Sequence, residues 1–170
     1  MGTLELTEAV RAFAKHRHEY VNHQYGGKPY WFHLQMAYDF YEKFKHLIDE
    51  DVHDVVGAAC WGHDLIEDTR VTYSDLKGQF GEDFAELVFL CTDYRGRTRK
   101  ERKPDAYYND LRENRLAVFV KLCDVCANFT FSAMNRKGMY EKYKKELPHV
   151  KSKLYEKNEY EEIWDYLESL

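Results

Sequence analysis

Residues 51–69 read DVHDVVGAACWGHDLIEDT. Val52, Val55, Val56, Ala59, Cys60 and His63 fall at i, i+3, i+4, i+7, i+8 and i+11, the spacing of one face of an α-helix. The pattern predicts a helix over 51–66 with His63 on its buried stripe. Asp64, Glu67 and Asp68 follow at once, so four ionisable groups crowd onto the end of a helix whose other face is apolar. Burying that many such groups without a partner is costly. Two readings stand open at this point. Either a cation relieves the repulsion, or the helix simply runs out into a solvated acidic loop.

The same periodicity extends in both directions. Helices are predicted over 4–20, from about His33 to Leu47, from an N-cap at Thr72 to about Gly81, over 82–93, 113–130, 134–147 and 149–168, the last two separated at Pro148. HQYGGKPY, residues 23–30, reads as a loop because of Gly26, Gly27 and Pro29, and 94–106 reads as irregular. There is no internal repeat and no Gly-rich phosphate loop. The expectation is an all-α bundle of about seven or eight helices, a single domain over 1–170 with 149–170 as a C-terminal helical extension.

The chain has 170 residues, with 25 Lys and Arg against 30 Asp and Glu for a formal charge of −5. That balance argues against a general nucleic-acid binder. The N-terminus has no apolar signal core, and uninterrupted apolar runs are short, so neither secretion nor a membrane span is expected. Cys60, Cys91, Cys123 and Cys126 all sit in apolar patterns. They read as reduced, packed thiols of a cytoplasmic protein, since the Cys123/Cys126 pair lacks the second pair that a structural zinc site needs. One segment is strongly basic: RGRTRKERK, residues 95–103, holds six bases and one acid. It is either solvated surface or a segment that closes over a polyphosphate.

Two distant segments bear on the choice left open above. His33 stands at the start of a predicted helix. On the 113–130 helix, Lys121, Asp124 and Asn128 occupy i, i+3 and i+7, a polar stripe on a helix otherwise made of residues such as Leu116, Phe119, Val120, Leu122 and Ala127. A carboxylate there needs a partner. A metal shared with His63 and Asp64 is the economical one, and an exposed Lys121–Asp124 pair is the alternative. The mixed imidazole and carboxylate donor set suits Mn²⁺, Fe²⁺, Zn²⁺ or Mg²⁺. The remaining histidines, His16, His18, His23, His46, His53 and His149, read as surface or packing groups.

His33, His63-Asp64 and Asp124, in this order on a helical chain, resemble the HD-domain metal phosphohydrolases. The phrases GGKPYWFH, HDLIEDT, FGEDFAELVFLCTD and VKLCDVCAN resemble the hydrolase domain of RelA/SpoT proteins and of the small alarmone hydrolases, over about residues 10–150. The resemblance implies removal of the 3′-pyrophosphate from guanosine tetra- or pentaphosphate with one divalent ion, Mn²⁺. It implies that His33, His63, Asp64 and Asp124 hold the metal, and that Glu67 and Asp68 activate water and move protons. It further implies that Lys121, Asn128, Tyr140 and Lys144 border the nucleotide. The chain departs from the family at Gln24-Tyr25, where Arg-Lys is usual, at Leu34, where Pro is common, and at Val125, where Arg is usual. At Gln24-Tyr25 two positive charges are missing, and Tyr25 could stack on a base instead. The departures motivate a second substrate class: a deoxynucleotide, a pyrimidine nucleotide or NADPH. A catalytically silent nucleotide sensor would have no need of the Glu67/Asp68 pair.

Overall fold

The stretch 51–69 is helical but not continuous. In the computed structural model, which describes residues 5–135 and 137–170, helix α3 (His53–Gly62) stops just before His63, and a single turn, α4 (Leu65–Asp68), follows Asp64. The expected helix over 51–66 is thus broken where Asp64 takes φ −104° and ψ 5°. Gly62 sits at the end of α3 against Phe84 and Val10, where an added Cβ would lie 2.7 Å from the Phe84 ring. Adjacent residues on a straight helix point about 100° apart. The break lets His63 and Asp64 turn toward one point.

Around α3 the helices follow the predicted order with shifted ends. Helix α1 (Glu5–Tyr20) packs along α3; residue 4 of its predicted span lies outside the described residues. A two-residue hairpin turn comes next, β1 (Gln24–Tyr25) pairing antiparallel with β2 (Lys28–Pro29). It depends on Gly26 and Gly27, at φ +57° and +82°, and a side chain on Gly26 would strike the Phe131 ring. Helix α2 (Trp31–Phe44) begins two residues before His33 and ends in a 3₁₀ turn to Leu47. Thr72 caps α5 (Tyr73–Phe80) through a full capping box with Asp75, as predicted, and α6 (Glu82–Cys91) follows.

The second half departs further from expectation. The supposedly irregular 94–106 contains a single turn, α7 (Arg99–Arg102), and the start of α8 (Asp105–Arg112) behind Pro104. Helix α8 escapes a hydropathy reading because Tyr107 and Tyr108 share its buried face with Leu111. Helix α9 spans Arg115–Asn135, longer than the predicted 113–130. Helix α10 (Lys137–Leu154) runs straight through Pro148 rather than ending there. An interior proline costs about 3 kcal/mol. Here it stands on the exposed side, while Leu147 and Leu154 anchor the helix in the core. The chain then turns through Asn158 and Tyr160, both at positive φ, into α11 (Glu161–Ser169), so the last helix starts twelve residues later than predicted.

The architecture is an all-α bundle, with nine helices of eight residues or more among the described residues. Helix α9 is its axis and packs against α2, α3, α6, α8, α10 and α11. Its mean hydropathy reaches 1.5 over an 18-residue window, enough by length and composition to cross a bilayer, although its apolar runs are short. Its apolar faces are instead covered by the other helices. The core joins Trp61, Phe84 and Phe119 to Ile163, Trp164 and Leu167 of α11, so the C-terminal segment is packed into the bundle. Burial of each such large side chain stabilises by roughly 1.5–3 kcal/mol.

Candidate metal centre

Three segments meet around one point. The first turn of α2 brings His33, the break between α3 and α4 brings His63 and Asp64, and the middle of α9 brings Asp124. One ligand atom from each of the four lies within 4.8 Å of the others. His33 Nε2 is 2.9 Å and His63 Nε2 3.2 Å from Asp124 Oδ1, and His63 Nε2 is 3.1 Å from Asp64 Oδ2. All four residues are buried, none more than 9% exposed.

The donor chemistry fits a divalent cation. His63 Nδ1 lies 2.9 Å from the Cys60 carbonyl oxygen, which can only accept, so Nδ1 carries a proton. In a neutral ring the Nε2 lone pair then points at two carboxylate oxygens. Such a convergence is stable only with a positive charge in it, either a second proton on His63 or a metal ion. The metal-free electrostatics say the same. Burial alone would lower the His63 pKa, but Asp64 and Asp124 drive it well above the ordinary value. Burial would raise Asp124, but the charges of Lys121 and His63 hold it well below the usual carboxylate range.

Neighbours fix these ligands in turn. Lys121 Nζ donates to Asp124 Oδ2 at 3.1 Å and Asn128 Nδ2 to Asp124 Oδ1 at 3.2 Å, both from α9 itself. The Lys121–Asp124 pair therefore exists but is buried at the cluster, not exposed on a helix face. Tyr25 donates to Asn128 Oδ1 at 2.9 Å, and its ring centroid lies 4.7 Å from that of His33 and 4.4 Å from that of Phe131.

Glu67 and Asp68 project from α4 beside this cluster, and with Asp64 they form a second group whose oxygens lie within 4.8 Å. The Asp93 backbone N–H donates to Glu67 Oε1 at 2.8 Å. Burial, with repulsion from Asp64 and Asp93, raises the Glu67 pKa. Burial, with repulsion from Asp64 and Glu67, pushes Asp68 up to about 8. One carboxylate held by a donor beside one carboxyl with a raised pKa is an arrangement that can do acid/base work.

His33, Asp64 and Asp124 of the cluster, with Glu67 beside them, form the floor of a cleft of about 160 Å³ that opens to solvent. Of the basic run, Arg99 and Lys103 line the wall, while Arg95, Arg97 and Lys100 face outward. Arg99 makes a two-point ion pair with Glu146, at 2.6 and 3.0 Å. Lys103 pairs with Asp93, and burial together with the charge of Lys121 lowers its pKa to about 8 against the pull of Asp93. Tyr140 and Lys144 are not among the residues brought to the cleft. Tyr140 packs edge-on against Phe129, and Lys144 lies over the Tyr140 ring. The same helix turns Tyr143, Glu146 and Leu147 into the cleft. Sequence reasoning missed Tyr30, Asp93, Tyr143 and Glu146. Tyr30, within GGKPYWFH, and Asp93, at the end of FLCTD, both stood in motifs singled out for another reason.

No protein-family model matches the chain, and no curated protein matches it. Among solved structures, a metazoan ortholog of SpoT that hydrolyzes ppGpp and plays a role in starvation responses superposes with a TM-score of 0.73 at 21% sequence identity, covering 96% of this chain and 93% of that one. The bundle that carries the four-residue cluster therefore shares its fold with that SpoT ortholog.

Proposed function

We propose that this chain is a metal-dependent phosphohydrolase that removes the 3′-pyrophosphate from guanosine tetra- or pentaphosphate. The observation that carries the reading is the convergence of His33, His63, Asp64 and Asp124 beside the Glu67/Asp68 pair, at the floor of a cleft with cations on its wall. The SpoT-like fold and the motif resemblance supply the substrate.

His33, His63, Asp64 and Asp124 would hold one divalent ion, Mn²⁺ in this reading. Such an ion supplies Lewis-acid activation of water and neutralises phosphate charge. Glu67, held by the Asp93 backbone N–H, takes a proton from the attacking water. The water oxygen bonds to the phosphorus on the 3′-oxygen, and the bond between that phosphorus and the 3′-oxygen breaks. Asp68, which keeps its proton near neutrality, returns one to the departing 3′-oxygen. Lys121 and Asn128 hold Asp124 in place and border the phosphates, Arg99 and Lys103 meet phosphate oxygens from the wall, and Tyr143 serves the nucleotide in place of Tyr140 and Lys144. Tyr25 lies against His33 and supports the floor of the nucleotide site. The four buried free cysteines suit a reducing compartment, and we place the reaction in the cytoplasm.

The test is metal analysis of the purified protein, then incubation of the Mn²⁺-loaded protein with guanosine tetraphosphate. Pyrophosphate and the nucleoside diphosphate are the expected products. A second reading has a specific observation behind it. Gln24-Tyr25 stands where the family carries Arg-Lys, and the Tyr25 hydroxyl is engaged with Asn128. Orthophosphate released from NADPH or a mononucleotide, with guanosine tetraphosphate untouched, would favour this less highly charged substrate class.

A further inference from the structure

Three of the four cluster residues owe their orientation to familiar devices. His33 and Asp124 ride on regular helices, and His63 is anchored by the Cys60 carbonyl. Asp64 has neither advantage. It stands at the helix break with non-helical dihedrals, which turn it toward the cluster, but no regular helix or backbone carbonyl holds its side chain. What it meets is Tyr30, the last residue of the GGKPY turn. The Tyr30 hydroxyl donates to Asp64 Oδ2, the oxygen that faces His63 Nε2 at 3.1 Å and His33 Nε2 at 3.8 Å.

Tyr30 is itself held from several sides. Its ring stacks on His23 with centroids 3.8 Å apart and planes 12° apart, and His18 lies behind at 4.8 Å. His18 and His23 share a hydrogen bond between their Nδ1 atoms at 3.1 Å. The backbone closes the same unit. Tyr30 N–H donates to the His23 carbonyl, His23 N–H to the His18 carbonyl, and His33 N–H to the Tyr30 carbonyl.

We propose that Tyr30 is a positioning residue of the metal centre: its hydroxyl, braced by the His18–His23 stack, sets the orientation in which Asp64 presents its carboxylate to the cation. The proposal rests on the metal-centre reading above and assigns a purpose to two histidines, His18 and His23, that otherwise look like packing. Removing a partner that orients a metal ligand typically weakens metal binding about 10- to 100-fold.

Tyr30→Phe tests it, because the variant deletes one oxygen and keeps the ring stack. Mn²⁺ affinity is measured directly, by electron paramagnetic resonance of free Mn²⁺ or by calorimetry, on protein first stripped of metal. The expected result is a Kd raised about 10- to 100-fold, with the melting temperature of the stripped protein near that of the wild type. At low Mn²⁺ kcat falls, and it recovers as Mn²⁺ is raised, while KM for the nucleotide stays put. A wild-type Kd in Tyr30→Phe overturns the proposal and leaves the metal centre standing. Failure of the wild type itself to bind Mn²⁺ overturns both. Should Tyr30→Phe not fold, His23→Ala decides in its place. That variant keeps the hydroxyl but removes the face on which the ring rests; a raised Mn²⁺ Kd supports the proposal, and an unchanged one overturns it.

Discussion

At the floor of the cleft, each side chain of the four-residue cluster is buried and set by geometry it cannot easily leave: a regular helix, a carbonyl, a hydroxyl. On the wall, Arg99 and Glu146 are about one-third exposed and hold each other, and Lys103 holds Asp93. The floor is built so that charge must be added to it. The wall is already neutral, each cation matched by a carboxylate. The difference separates two tasks: substitutions on the floor should act on metal and chemistry together, and substitutions on the wall should act on substrate affinity alone.

The sharpest way to break this contrast is at Asp124. Asp124→Ala should abolish Mn²⁺ retention and turnover together, as read by metal content and product formation. It also strands Lys121 as a buried cation without its partner, a change that costs about 3–5 kcal/mol in comparable pairs, so its melting temperature should fall too. Normal activity in this variant would sink the ligand set. Next in size are Glu67→Gln and Asp68→Asn, which should keep Mn²⁺ while lowering kcat by about 10²- to 10⁴-fold. Loss of metal from either would put the acid pair inside the coordination sphere rather than beside it.

On the wall, Arg99→Ala should raise KM by roughly 10-fold with kcat and Mn²⁺ affinity unchanged. A fall in kcat of the same size would move Arg99 from wall to floor. The opposite change, Glu146→Gln, should lower KM a few-fold by freeing Arg99 from its two-point pair. The smallest effect concerns pH. The metal-free pKa of His63 is raised well above 6.5. Its ion pairs with Asp64 and Asp124 therefore stabilise the stripped protein fully below pH 6.5, and that contribution is lost as pH rises through the raised pKa. Mn²⁺ competes with this proton. The melting shift produced by Mn²⁺ should accordingly grow from pH 6 to pH 9; an equal shift at both would remove His63 from the centre.

The same division decides what could be read from the amino-acid order. Val52 to His63 announce a buried helical stripe, and a carboxylate at Asp124 on an apolar helix demands a partner, so the floor is legible from local patterning and the cost of burying charge. The break at Asp64 is not, because the apolar periodicity runs on to His63 and no proline or helix-ending glycine motif marks the point where the chain leaves the helix. The phase of α10 is not legible either. A stop at Pro148 looks required by local rules, whereas Leu147 and Leu154 hold the helix through it, and Tyr143 and Glu146 face the cleft instead of Tyr140 and Lys144. Helix α8 hides because tyrosines form most of its buried face. Tyr30 and its histidines were out of reach for a further reason: a hydroxyl that orients a ligand leaves no spacing rule behind.

The paired wall has a consequence for salt. A cleft of free cations holds mobile counterions, and a phosphate ligand gains by releasing them, which makes its binding fall as ionic strength rises. Here Arg99 and Lys103 already hold fixed carboxylates. Entry of a nucleotide swaps one bound anion for another and liberates little from solution. The wall works as an ion exchanger charged with its own side chains, and substrate affinity should drift only slightly between low and physiological salt.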